Sequence, residues 1–267
     1  MIRLAAIFTL LLSCPAWASL TNCQQAYSST STTTLALPSF VLTTVSDGIM
    51  VFVSLTSVTP TVSVADNGSG GSQTYSPIGS ITGTTIAGYA FLATNATSAV
   101  NGATITVTLS INAVTVNAVA CEVTSMATSS AQDGSTATST GVTVSSLTSG
   151  ALTTSNSGTD LNVYCVGDGS TALTFTAGSG YTIPSGAGAT GTHSACQYKS
   201  ITGAQSAVTT SMSWTGSPSH VAGLFFALKQ ASVGAAPGFD KRSKLRKLSV
   251  LSRTFNHATE SIKEERD

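Results

Sequence analysis

Strict alternation of small polar and apolar residues constrains the fold of this chain more than any other feature. Thr104-Ile105-Thr106-Val107-Thr108-Leu109 alternates with period two, as do Thr61-Val62-Ser63-Val64 and Gly141-Val142-Thr143-Val144. That period puts one residue class on each face of a β-strand. Thr and Ser suit the wet face of a strand and bring no charge. The chain has 43 Thr and 41 Ser among 267 residues, and only 8% of residues are charged. It is poor in the residues that favour helices, and no helical period runs through its middle. Charged disorder is excluded by a hydrophobic share of 42%.

Longer apolar runs interrupt the alternation: Ile49-Met50-Val51-Phe52-Val53, Ala113 to Val123, and Val221 to Leu228. Such runs belong to strands that are central or covered on both faces. Between them stand Asp47-Gly48, Asp66-Asn67-Gly68, Asn101-Gly102, Asp133-Gly134 and Asp168-Gly169, all turn signals. The expected fold is all-β: one antiparallel two-sheet β-sandwich, jelly-roll-like, with about thirteen strands over 32–230.

The two ends differ from this body. Arg3, an apolar run from Leu4 to Leu12, and Ala16-Trp17-Ala18 read as a secretory signal peptide over 1–18. Residues 19–31 are read as an N-terminal arm, 231–239 as a linker, and 240–267 as a charged helical tail. In that tail Leu248, Leu251, Phe255, Ala258 and Ile262 recur at helical spacing behind the basic run Lys241 to Lys247. Three roles fit it: a solvated tail, a self-associating or docking helix, and a helix on an anionic membrane surface. No segment is long and apolar enough to predict a transmembrane helix.

The neutral total charge is a cancellation. From Ser19 to Gln230 there are six acids (Asp47, Asp66, Glu122, Asp133, Asp160, Asp168) and two bases, Lys199 and Lys229. From Ala231 onwards there are eight bases and five acids. Without a global basic excess, nucleic acid is not an expected partner.

The order of the pieces brings a resemblance. Gln73-Thr74-Tyr75-Ser76-Pro77 follows the apolar strand opened by Asp47-Gly48. Later come Phe175-Thr176-Ala177-Gly178-Ser179-Gly180-Tyr181-Thr182 and Met212-Ser213-Trp214, then Val221 to Lys229. This series resembles a broad family of secreted bacterial and phage-associated Ser/Thr-rich β-sandwich modules, over roughly residues 32 to 230. The resemblance implies a jelly-roll-like sandwich in a surface or virion-associated setting. It brings no catalytic residues with it.

Removal of the signal peptide takes Cys14 and leaves Cys23, Cys121, Cys165 and Cys196. An even count in an exported chain suggests disulfides, with three connectivities open. The favoured set is Cys165 with Cys196 and Cys23 with Cys121; buried thiols are the alternative for one pair. No zinc-like spacing appears, and no metal or cofactor is expected. No catalytic constellation is expected either. His193 and His220 read as loop histidines, Glu122 as an outward acid, and Asp66 and Asp168 as turn formers. Tyr181, set between Gly180 and Pro184, is the candidate for ligand contact. The expected role is an exported, non-catalytic module at a cell surface, in adhesion or glycan contact. The alternatives are a phage virion or assembly protein and, more remotely, a hydrolase.

Overall fold

The computed structural model describes residues 17–231 apart from 45–46, 57–59, 70–71, 114 and 170–171. Residues 1–16 of the segment 1–18 read as a signal peptide, and the tail from 232, lie outside the described residues; Ala18, the last residue of that segment, is buried in the core. Among the described residues there are sixteen strands, one 3-10 turn at Ser98–Val100 and no α-helix.

In chain order the first eight strands are β1 (Leu20–Ser28), β2 (Thr32–Ala36), β3 (Gly48–Leu55), β4 (Val62–Asp66), β5 (Ser76–Thr82), β6 (Ala87–Ala93), β7 (Ile105–Ala113) and β8 (Val116–Val123). The second eight are β9 (Gln132–Val142), β10 (Ser146–Thr148), β11 (Thr159–Asp168), β12 (Leu173–Thr176), β13 (Thr190–Thr192), β14 (Ser194–Thr202), β15 (Ser211–Thr215) and β16 (His220–Lys229). They form four antiparallel sheets, ordered β1-β8-β3-β6-β5, β2-β7-β4, β14-β11-β16-β9 and β10-β15-β12-β13.

These orders contain a duplication. Counted within each half, the N-terminal sheets run 1-8-3-6 and 2-7-4, and the C-terminal sheets run the same way. The halves differ at the fifth strand. β13 pairs with β12, whereas β5 pairs with β6 and so joins the other sheet. The expectation of one two-sheet sandwich is therefore corrected: the all-β antiparallel class holds, but two sandwiches follow one another in the chain.

Three apolar clusters show how the sheets stack. Ile49, Val51, Val53 and Leu55 of β3 face inward with Val107 and Leu109 of β7, filling the N-terminal sandwich. Tyr164 and Val166 of β11 meet Phe175, Met212 and Trp214, filling the C-terminal one. The alternate residues, Met50 and Phe52 of β3 with Leu161, Val163, Leu224 and Phe226, fill a third core between the two central sheets. Period two thus sorts one apolar run into two cores. That is why β3, β8 and most of β11 and β16 are buried on both faces.

Two further boundaries change. The 19–31 arm is largely β1, an edge strand paired with β8. Asn22, at φ 46°, and Cys23 form a bulge in it opposite Cys121. Asp133-Gly134 is likewise no turn between strands. It lies inside β9, with Gly134 at φ 71°, where the register against β16 shifts.

Both disulfides, Cys23–Cys121 and Cys165–Cys196, are formed, in the pairing favoured from the sequence. Cys165 and Cys196 are direct cross-strand partners on β11 and β14. All four cysteines belong to the core between the central sheets.

Candidate functional site

The six acids of the body are all buried. Each of the five whose bonds are described serves a loop or strand end that lacks ladder partners. Asp66 accepts from the Gly68 N–H at 3.0 Å and the Gln73 N–H at 2.9 Å, closing the loop after β4. Asp133 accepts from the N–H groups of Ser155 and Asn156 at 2.9 and 2.8 Å and from the Ser155 hydroxyl at 2.9 Å. Lys229 Nζ stands 3.9 Å from the same carboxylate. Asp47 accepts from the Ser125 N–H at 2.9 Å.

Glu122 gathers the most donors. Asn22 Nδ2 donates to it at 2.6 Å, the N–H groups of Thr43 and Thr44 at 2.8 and 3.1 Å, and Thr21 Oγ1 at 3.2 Å. The Thr43 hydroxyl donates as well. Glu122 is fully buried, so its reading as an outward acid is corrected. Burial pushes its carboxyl up, but the bonds from Thr43, Thr44 and Asn22 outweigh this and hold it below the usual carboxylate range. Burial is likewise outweighed at Asp133, where Asn156, Ser155 and Lys229 bring the group down.

Asp160 goes the other way. Asn156 Nδ2 donates to one of its oxygens at 2.7 Å, and the other is buried without a partner. Burial raises this carboxyl, and the Asp133 charge adds to the rise. Asp47 is raised too, first by burial and then by the Glu122 charge. Each half therefore holds one carboxylate beside one carboxyl that resists ionisation.

Tyr181 sits half-buried rather than presented to solvent. It packs against the C-terminal core, with its ring 6.4 Å from Phe225 and Lys199 Nζ 5.8 Å from its centroid. Burial raises its hydroxyl, opposed by bonds to Asn162 and Thr210. Trp214 is also core: its indole nitrogen donates to the Val144 carbonyl at 2.9 Å. His193 is no loose loop histidine. Its ring stacks on Tyr27 at 3.6 Å, inside a small pocket of 260 Å³ between β1 and the β13–β14 connection. Burial lowers its pKa, against the pull of Asp168.

A larger concavity lies where the sandwiches meet, a groove of 630 Å³. One wall comes from Ser72 to Thr74 and Ser76 to Ile78, another from Leu92, Thr94 and Thr97, and a third from Ser130, Ala131 and Gln132. The N-terminal half gives two walls and the start of the C-terminal half gives the third. Pro77, Ile78, Leu92 and Ala131 are its apolar surfaces, and hydroxyls and amides make up the rest; no charged residue lines it. Gln73 is fixed by a reciprocal pair: its Nε2 donates to Thr97 Oγ1 at 3.1 Å, and the Thr97 N–H donates back to its Oε1 at 3.2 Å. Gln132 Nε2 donates to the Ile78 carbonyl and to Thr136 Oγ1, both at 3.0 Å. The Thr136 hydroxyl also donates to Ile78 O, so β9 grips the β5 edge.

Sequence reasoning passed over these wall residues, because Ser, Thr and Gln at turns look alike whether they face solvent or a groove. Only the duplicated fold brings 72–78 beside 130–132. Among the described residues no cluster of His, Cys, Asp and Glu could hold a metal ion, and no helix is long and apolar enough to cross a membrane. Neither a protein-family model nor a curated protein matches this chain.

Proposed function

We propose that this chain is an exported, non-catalytic contact module of the cell surface or extracellular space, acting in adhesion or glycan contact. The two disulfides fit an oxidising compartment. One observation carries the reading. The carboxyls that acid–base or metal chemistry would use are buried, while the groove of 630 Å³ is lined by hydroxyls, amides and apolar groups without a charge. Surfaces of that kind recognise partners by hydrogen bonds and apolar contact rather than by charge. A glycan array probed with the disulfide-bonded protein, together with fractionation of the producing cells, tests it. Binding to a subset of glycans with retention outside the cytoplasm supports the reading. No glycan bound and no surface or extracellular pool would end it.

A second reading, a phage virion or assembly component, draws on the tandem jelly-roll-like strand order, an architecture that coat proteins share with lectins. Sizing the full chain beside a chain ended after Ala231 tests it. A defined oligomer that falls to monomer without the tail favours assembly; a monomer in both cases removes that argument.

A further inference from the structure

We infer that the groove between the two sandwiches is a subsite for an uncharged oligosaccharide and discriminates against acidic ones; this rests on the glycan-contact reading above and names its site. A volume of 630 Å³ lies within the range of small-ligand sites. The lining matches the two-sided chemistry of a neutral sugar. Pro77, with the partly exposed Ile78 beside it, offers apolar surface to the C–H face of a pyranose, and Ser76, Thr94 and Ser130 offer hydroxyls that can donate or accept.

The amides add direction. Gln73 is held by its reciprocal bonds with Thr97 and reaches the groove already oriented. The bonds that fix Gln132 use only its nitrogen, so its oxygen is an acceptor for a sugar hydroxyl. Preorganised polar groups lose little entropy on binding.

The same lining rejects other ligands. A carboxylate or sulfate entering the groove would shed water and meet no Lys, Arg or His in return. A divalent cation would meet no carboxylate there. An extended peptide would need a free strand edge, and the β5 edge is already held at Ile78 O by Gln132 and Thr136. What remains is a neutral polyhydroxylated chain, laid across a seam that neither half makes alone.

The test is calorimetric titration of the disulfide-bonded protein with maltohexaose, cellohexaose, xylohexaose and chitohexaose, and with hexagalacturonate as the acidic contrast. At least one neutral hexasaccharide should bind, with hexagalacturonate at least about tenfold weaker. The affinity should stay unchanged between low and moderate salt, because no ion pair forms. Thr94→Trp and Ser76→Trp, both at exposed wall positions, should each cut that affinity about tenfold or more with the fold intact by circular dichroism. Thr148→Trp, exposed on β10 of the outer C-terminal sheet, should leave it unchanged. If a neutral sugar binds and neither groove variant weakens it, the groove is the wrong site while the glycan-contact reading stands. If hexagalacturonate binds as well as the neutral sugars, the discrimination is wrong. If no sugar binds, the site falls, and the glycan array decides separately whether the wider reading falls with it.

Discussion

Buried carboxylates set the pH response of this protein, and they divide into two kinds. Glu122 and Asp133 are held below the ordinary carboxylate value, so the folded state prefers them ionised. Their contribution is complete above the unfolded value near 4 and fades as pH falls through their lower folded values. Asp47 and Asp160 are raised, so the fold prefers them protonated, and they oppose stability increasingly as pH rises past the unfolded value. Thermal melts between about pH 2 and pH 7 should show Glu122→Gln with a flatter acid limb than the parent. Asp160→Asn keeps the shape, lets an amide face Asp133, and should raise the midpoint at neutral pH by about 2 °C. A parent-like acid limb in the first variant, or a lowered midpoint in the second, contradicts this division. None of these roles was legible in the sequence. An acid beside Gly reads as a turn former, and Glu122 next to Cys121 in a strand reads as outward, because burial depends on which loop comes back to cover it. The donors on Glu122 come from 21–22 and 43–44, far from it in the chain.

At the scale of elements, the apolar runs were the legible part. Strands β3, β8 and β16 lie where Ile49 to Val53, Ala113 to Val123 and Val221 to Leu228 placed them. Their two-sided burial was also legible, but its meaning was not: a run covered on both faces signals a third core, hence more than two sheets. Hydroxyl-rich strands were the illegible part. Most of β9 carries Ser, Thr and Gly with few apolar residues, and β1 carries Asn, Gln and Ser, so both lack the alternation that marks a strand. The close approach of the central sheets is equally hidden. A Cβ on Gly167 of β11 would stand 2.0 Å from Ser54 Oγ of β3 and 2.4 Å from its Cβ. Gly167→Val should force the sheets apart and cost about 3 kcal/mol or more by denaturant unfolding. Gly191→Ala faces open space, and its cost should come only from its positive φ, about 1 kcal/mol. Equal costs in the two variants would mean that the sheets do not meet closely at Gly167.

At the scale of the molecule, the shared core predicts cooperativity. Met50, Phe52 and Val119 come from the N-terminal half, and Leu161, Val163, Leu224 and Phe226 from the C-terminal half, yet they form one cluster. Exposing either half alone would open that surface to water, so both should melt together in one calorimetric transition. Phe226→Ala should cost about 3–5 kcal/mol and lower that single transition as a whole. Two resolved peaks, or a variant that shifts one of two, would show the sandwiches to be independent.

The scarcity of bases in the body has a consequence for survival outside a cell. Between Ser19 and Gln230 a protease that cuts after Lys or Arg finds only Lys199 and Lys229, in β14 and β16, with their backbones held in the ladder against β11. Apart from Arg3, every other such bond lies beyond Ala231. Limited trypsin digestion should therefore trim the C-terminal tail and then stop, leaving the two sandwiches as one resistant fragment. The same digestion separates the charged part of the chain from its hydroxyl-coated body without any change to the gene.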